Sequence, residues 1–304
     1  MAECRNACNL SKQIDFIMPQ SEKHLTFEDH NRDVTGMTYV YPVVSRRSAG
    51  VSVGINLNTN SACNWACVYC QVPDLKRGKA PLTDLVLLRK ELFSMFEQIV
   101  HGDFMERFVD AGLRRLNDIA FSGNGEPTSA KLFPQAVAIA QEVLAFYGLT
   151  DKVKIVVITN GSFSHQVATQ RAFQSMAQHG LGEIWFKCDR GTKEDILRIN
   201  KINLDPELII TRLGQVAPLC PTWIQTCMVS WDNLPPREEE VASWLSVIER
   251  ALRQSIPLQG VLLYSLARPS YQPDAPRIGR LSEEWLNQLA LRIERLGLAV
   301  KVTP

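Results

Sequence analysis

The spacing of apolar positions changes period along this chain. Val51 to Leu57 alternates apolar and polar and predicts a β-strand. Val153 to Ile158 is an almost continuous β-branched run and predicts a buried one. Thr38 to Val44, Asp118 to Phe121, Glu183 to Lys187, Thr222 to Val229 and Gly260 to Leu266 also read as strands, with Leu298 to Val302 a short last one. Ser45 to Gly50 reads as the turn between the first two. Leu82 to Val100 has the helical period instead, with apolar Leu85, Leu88, Leu92, Phe93 and Phe96. Residues 101 to 117 are irregular to helical. Further helices are expected over Pro134 to Phe146, His165 to His179, Glu194 to Asn200, Pro206 to Ala217, Glu238 to Gln254 and Ser282 to Leu296. Ser282 suits an N-cap and Glu284 the first turn.

From Val51 onward six strands alternate with helices. That alternation predicts a parallel sheet with helices outside it, an α/β fold. Six units are too few for a complete eight-stranded barrel. Residues 1–37 are polar and weakly patterned and predict an N-terminal extension. Residues 38–304 form one domain, with no internal repeat and no low-complexity linker.

Composition narrows the class. An apolar fraction of 45% is ordinary for a globular protein. No run of eighteen apolar residues occurs, and the first twelve residues lack the apolar centre of a signal peptide, so a cytoplasmic protein with no membrane role is expected. A net charge of +1 gives no support to a broad nucleic-acid surface. Eight cysteines, three of them clustered, argue for metal chemistry in a reducing compartment rather than for disulfides.

The cluster is Cys63, Cys67 and Cys70, spaced C-x3-C-x2-C just after the Val51 to Leu57 strand. A loop this short can turn three thiolates towards one point. Three thiolates suit three irons of a cubane, leaving the fourth iron open. Catalytic zinc also accepts three protein ligands, and buried inert cysteines are a further reading. Cys4 and Cys8 have no neighbouring ligands to complete a set. Cys188, Cys220 and Cys227 lack tight spacing and read as buried.

The other unusual motifs fall at the carboxyl ends of predicted strands, where parallel α/β sheets place their ligands. Gly123-Asn124-Gly125-Glu126-Pro127 follows one strand; its glycines would let a ligand approach the backbone. Thr159-Asn160-Gly161 follows the next, and Asn160 can donate and accept. Lys187 and Asp189, two positions apart, end a third. Arg268 follows the strand over Gly260 to Leu266 and suits a carboxylate or phosphate.

The cysteine spacing, with Tyr69 before the last cysteine, resembles the cluster motif of the radical S-adenosylmethionine (SAM) superfamily. Gly123 to Pro127 resembles that family's glycine-rich turn for the methionyl amino group, with Asn124 in place of a second glycine. The resemblance implies a partial (β/α)6 barrel open on one side. It implies a [4Fe–4S] cluster on Cys63, Cys67 and Cys70, with SAM held by Gly123, Asn124, Gly125, Glu126 and Asn160. Lys187 would pair with the SAM carboxylate and Asp189 would accept from ribose. The implied activity is that of an oxidoreductase: reductive cleavage of SAM to a 5′-deoxyadenosyl radical, which takes hydrogen from a substrate. An electron donor such as flavodoxin or ferredoxin is implied with it.

Phe121 to Thr128, Ile158 to Gly161 and Ile199-Asn200 look like the wyosine tRNA-synthase-like group. The chain lacks that group's widely spaced N-terminal cysteines and basic character, so tRNA is a partner the charge does not support. Two alternatives stand beside the enzyme of unidentified substrate. One is an activase of a glycyl radical enzyme. The other is a non-catalytic metal- or cluster-binding regulatory protein.

Overall fold

The computed structural model describes Leu25, residues 36–45 and residues 50–303. The expected N-terminal extension, with Cys4 and Cys8, and most of the expected turn after Ser45 lie outside the described residues.

Among the described residues, eight strands form one sheet. They are β1 (Val40–Ser45), β2 (Gly50–Ile55), β3 (Leu116–Phe121), β4 (Lys154–Thr159), β5 (Leu181–Lys187), β6 (Thr222–Cys227), β7 (Leu258–Tyr264) and β8 (Ala299–Thr303). Each strand pairs with the next one in the chain, so the sheet runs from β1 to β8 in sequence order. β1 is antiparallel to β2; every later pair is parallel. A parallel sheet that always steps in one direction through right-handed crossovers puts its helices on one face. The sheet then curls with the other face inward, a partial barrel open between β1 and β8.

The six alternating strands read from the sequence are β2 to β7. The structure extends that count on both sides, with β8 as a seventh parallel strand and β1 as an antiparallel edge. Glu91 explains the seating of β1. Its carboxylate accepts from the backbone N–H groups of Thr38, Tyr39 and Val40 at 2.7, 2.8 and 3.2 Å.

The main helices are α1 (Leu85–Val100), α2 (Phe133–Phe146), α3 (Val167–Gln178), α4 (Lys193–Asn200), α5 (Pro206–Val216), α6 (Glu238–Arg253) and α7 (Glu283–Glu294). α1 starts three residues later than its apolar pattern suggests. Asp84 caps it, accepting from Val86 and Leu87 N–H at 3.0 Å each, and leaves Leu82 exposed. Ser282 caps α7 as expected, accepting from Trp285 N–H at 3.2 Å. The helices bury Leu88, Leu92, Phe96, Phe133, Phe173 and Trp244 within the main apolar core.

The inner face of the curl is different. Ser52, Asp118, Ser122, Lys187 and Gln225 line a cavity there beside apolar Ala120, Ile158 and Trp185, so the lumen mixes polar groups with apolar ones. None of the described helices is long and apolar enough to cross a membrane.

Candidate functional site

The cavity has a volume of about 890 Å³ and opens at the carboxyl ends of the strands. Cys63, Cys67 and Cys70 line it, as do Gly123 to Glu126, Asn160 and Lys187. Asp189 is the one expected site residue that does not line it.

The cysteine loop leaves β2 through Asn56 and Asn58. Two segments far away in sequence and one close by hold it. α4 ends at Asn200 because Lys201 turns left-handed, at φ 54°. The last carbonyls of a helix have no partner inside it. Here those of Ile199 and Asn200 accept from Val68 N–H at 2.8 Å and Ala66 N–H at 3.3 Å. The second segment follows β7. The Ser270 hydroxyl donates to the carbonyls of Val68 and Cys70, and Tyr271 N–H also reaches the Cys70 carbonyl, at 3.1 Å. The third is a short pairing of Ala62–Cys63 with Lys76–Arg77. Trp65, Val68 and Tyr69 bury their side chains beneath the loop.

The thiols sit in a poor place for bare charge. Burial pushes Cys63 up to about 12 and Cys67 up to about 11. A bound cation is what would hold such groups as thiolates. Asn200 Nδ2 lies 3.3 Å from Cys67 Sγ, an N–H donor aimed at the sulfur. Among the described residues, no three His, Cys, Asp or Glu side chains converge on a point that could hold a single metal ion. Zinc at about 2.3 Å from each sulfur would need the sulfurs within about 4 Å of one another. Three cysteine thiolates from one loop are a donor set that would fit three irons of a cubane.

The Gly123 to Glu126 turn packs on the start of the cysteine loop. Both glycines serve that packing. A Cβ on Gly123, at φ 134°, would come within 2.5 Å of Asn56 Oδ1, and one on Gly125 would strike the Ala62 carbonyl. The sequence suggested that these glycines admit a ligand; the structure shows them admitting the chain's own loop. Asn124 N–H donates to Asn56 Oδ1 at 3.0 Å. Its Oδ1 is buried at the cavity with no hydrogen-bond partner among the described residues. That orphan acceptor fits a ligand ammonium.

Glu126 is 3% exposed. One carboxylate oxygen accepts from Thr128 N–H at 3.1 Å and from the Thr159 hydroxyl at 2.7 Å; the other accepts from Asn160 N–H at 2.7 Å. Burial raises its pKa, and these donors oppose the rise. Glu126 thus ties the ends of β3 and β4 together. Asn160 Nδ2 donates to Asn64 Oδ1 at 2.9 Å, which joins both ends to the cysteine loop.

Lys187 Nζ lies 3.2 Å from the Tyr69 hydroxyl and 4.9 Å from the centre of its ring. Burial works against its charge, but Tyr264 and the Asp189 carboxylate outweigh it and raise the pKa. The lysine therefore presents a cation to the cavity.

Asp189 is not placed for ribose. It is 1% exposed, and both its oxygens are taken by the chain. Oδ2 accepts from the Tyr69 hydroxyl and from Asn200 Nδ2, the latter at 2.7 Å, and Oδ1 from Cys227 N–H at 2.8 Å. It is a hub joining the cysteine loop, α4 and β6. Arg268 lines the cavity, but its Nε and one terminal nitrogen donate to Gln71 Oε1 at 3.0 and 2.7 Å.

Cys188 and Cys220 are buried as expected; Cys227 is buried and also borders the cavity. Sequence reasoning missed Asn56, Asn58 and Gln225 as site-building residues, and it gave Tyr69 no partner. The available signal was a polar side chain within or just past a strand end.

No family model matches the chain. One curated protein aligns with it, the GTPase Obg of Brachyspira hyodysenteriae, at 26% identity over 125 residues. That stretch is 41% of this chain and 16% of the GTPase, so the match touches about one-sixth of the relative's length. The sequence has no G-x-x-x-x-G-K-[ST] phosphate loop. Among solved structures the chain is similar to Streptococcus suis SuiB bound to its precursor peptide SuiA, with TM-score 0.54 and 11% identity. The match covers 84% of this chain and 49% of that one. It is also similar to a radical SAM methyltransferase from Sphaerobacter thermophilus, with TM-score 0.56 and 14% identity over 84% of this chain and 66% of that one. SuiB bound to S-adenosylmethionine gives TM-score 0.52 at 11% identity, covering 80% of this chain and 48% of that one. The chain thus spans about half the length of SuiB and about two-thirds of the methyltransferase. Its fold is the radical SAM partial barrel.

Proposed function

We propose that this chain is a radical SAM enzyme. Cys63, Cys67 and Cys70 would hold a [4Fe–4S] cluster, and the turn at Asn124 with Lys187 would orient SAM. With both bound, the cluster would supply the electron and SAM the radical chemistry that takes hydrogen from a substrate, while these residues hold and orient them. The single observation that carries the reading is one cavity lined by three cysteines of one loop, by an unpartnered acceptor on Asn124 and by a cation on Lys187. An ammonium suits Asn124 Oδ1, and a carboxylate suits Lys187. Asp189 and Asn200 would position the loop rather than touch SAM. The substrate would sit deeper, in the lumen. The reaction calls for a low-potential donor such as flavodoxin or ferredoxin. The finer likeness, to the wyosine tRNA-synthase-like group, rests on Phe121 to Thr128, Ile158 to Gly161 and Ile199-Asn200, and we carry over no substrate from it.

The test is anaerobic. The protein is reconstituted with iron and sulfide, then given SAM and a strong reductant, and 5′-deoxyadenosine is sought by mass spectrometry. Product that disappears in Cys67→Ala is the expected result. A protein with a full cluster that neither binds SAM nor cleaves it would overturn the proposal.

A further inference from the structure

Gln225 lies on β6, in register with Lys187 of β5 and Leu262 of β7, and lines the cavity. It is 1% exposed, and among the described residues neither its Nε2 nor its Oε1 has a hydrogen-bond partner. Apart from Asn124 Oδ1, which faces the expected ligand ammonium, polar neighbours in the same lumen have partners: Ser52 donates to Asp118, and the hydroxyls of Tyr41 and Ser122 meet at 2.8 Å. Folded proteins leave few buried polar groups unmatched, and each one needs a reason. A leucine or methionine would fill this position with no such groups. Gln225 is therefore better explained by what it can bind than by how it packs.

Its chemistry is specific. A glutamine amide presents a donor and an acceptor side by side in one plane. The complement is an acceptor and a donor side by side, as on a lactam, an imide or a nucleobase edge. A trans peptide group points its N–H and C=O in opposite directions and cannot satisfy both. Trp185, on β5, also lines the cavity. Its Nε1 donates to Glu183 at 3.2 Å. Planar rings with polar edges suit the amide, which takes the edge.

We propose that Gln225 is a specificity-determining residue that reads the cis-amide edge of a flat, ring-shaped substrate group. This rests on the reading of the cavity as a radical SAM site and names the substrate chemistry for it. A free heterocycle, a nucleobase and a cyclic amide share that edge.

The test is ligand-observed NMR titration of the reconstituted, SAM-treated protein. The probes are uracil, 1,3-dimethyluracil, cyclo(glycylglycine) and the linear N-acetylglycine N-methylamide. Uracil, the cyclic dipeptide or both should bind at least about tenfold more tightly than the dimethylated and linear probes. Preference for uracil identifies a base, and preference for the cyclic dipeptide a cyclic amide. Gln225→Met should lose that binding by a similar factor without a fall in melting temperature. Gln225→Glu, which exchanges the donor for an acceptor, should lose it too. The proposal fails if dimethyluracil binds as well as uracil, if no cis-amide probe binds, or if Gln225→Met keeps its affinity. SAM binding by the wild type is read on the same samples. Probe binding through Gln225 without SAM binding would sink the radical SAM reading and leave the edge-reading role standing; the reverse would do the opposite.

Discussion

Replacing Asp189 with asparagine keeps the shape of the side chain and removes its charge. In the wild type three donors converge on it, from Tyr69, Asn200 and the Cys227 backbone. Asparagine has one acceptor oxygen in place of two. With that oxygen towards Tyr69 and Asn200, its own amide meets the Cys227 N–H, and a buried donor is orphaned at a cost of about 1–3 kcal/mol. The two bonds that survive drop from charged to neutral strength, losing about 1 kcal/mol each. The opposite orientation sets amide against amide at Asn200. Relief from burying an ion offsets part of the total. The expected loss is about 3 kcal/mol near neutral pH. Denaturant unfolding of the unloaded protein measures it, with an unchanged slope showing that the unfolded state is not altered. A loss under about 0.5 kcal/mol, the range of an inert surface change, would refute the hub. The variant should also bind less iron and sulfide on reconstitution, because Asn200 is shared between Asp189 and Cys67.

Three other perturbations have defined outcomes. Gly125→Ala puts a methyl group against the Ala62 carbonyl and within 2.6 Å of Asn58 Nδ2; we expect about 1–3 kcal/mol of destabilisation and weaker SAM binding by calorimetry. Asn200→Leu removes the donor to Cys67 Sγ that would stabilise the reduced cluster, so the midpoint potential should become more negative in an EPR-monitored titration; an unmoved midpoint contradicts this. Burial alone would raise the Glu240 carboxyl, but Arg237 and Arg198 hold it below its ordinary value. A depressed carboxyl stabilises the fold above its unfolded pKa and loses that effect as the pH falls. Glu240→Gln should therefore cost about 1 kcal/mol at neutral pH, and the gap in melting temperature should close on acidification below 4.5.

The strands were legible because their signals are local. The β-branched run from Val153 became β4 almost residue for residue, and the apolar period of α1 identified its core face. The cysteines were legible because their spacing is short. What escaped was the wiring between strand ends. Glu91 reaches back more than fifty residues to seat β1, and Tyr69 meets Asp189 across 120 positions. A pair that distant leaves no periodic trace. Asp189 was read as a ligand group because a carboxylate at a strand end looks the same whether it faces solvent or the chain's own donors. Gln225 drew no notice because a glutamine within a β-branched stretch is unremarkable until its empty hydrogen-bonding positions are seen.

The clamp on the cysteine loop bears on the order of assembly. Ser270 and Tyr271 grip the Val68 and Cys70 carbonyls across about two hundred residues. Such distant contacts can form only after the intervening strands have docked. The cysteine loop is then expected among the last parts of the chain to take shape. In a zinc finger the metal drives an otherwise unfolded chain to fold. Here the scaffold is complete first, and iron and sulfide would be received by an already folded host. Maturation and folding become separable events, so a cell short of iron would accumulate a stable, empty protein rather than an unfolded one.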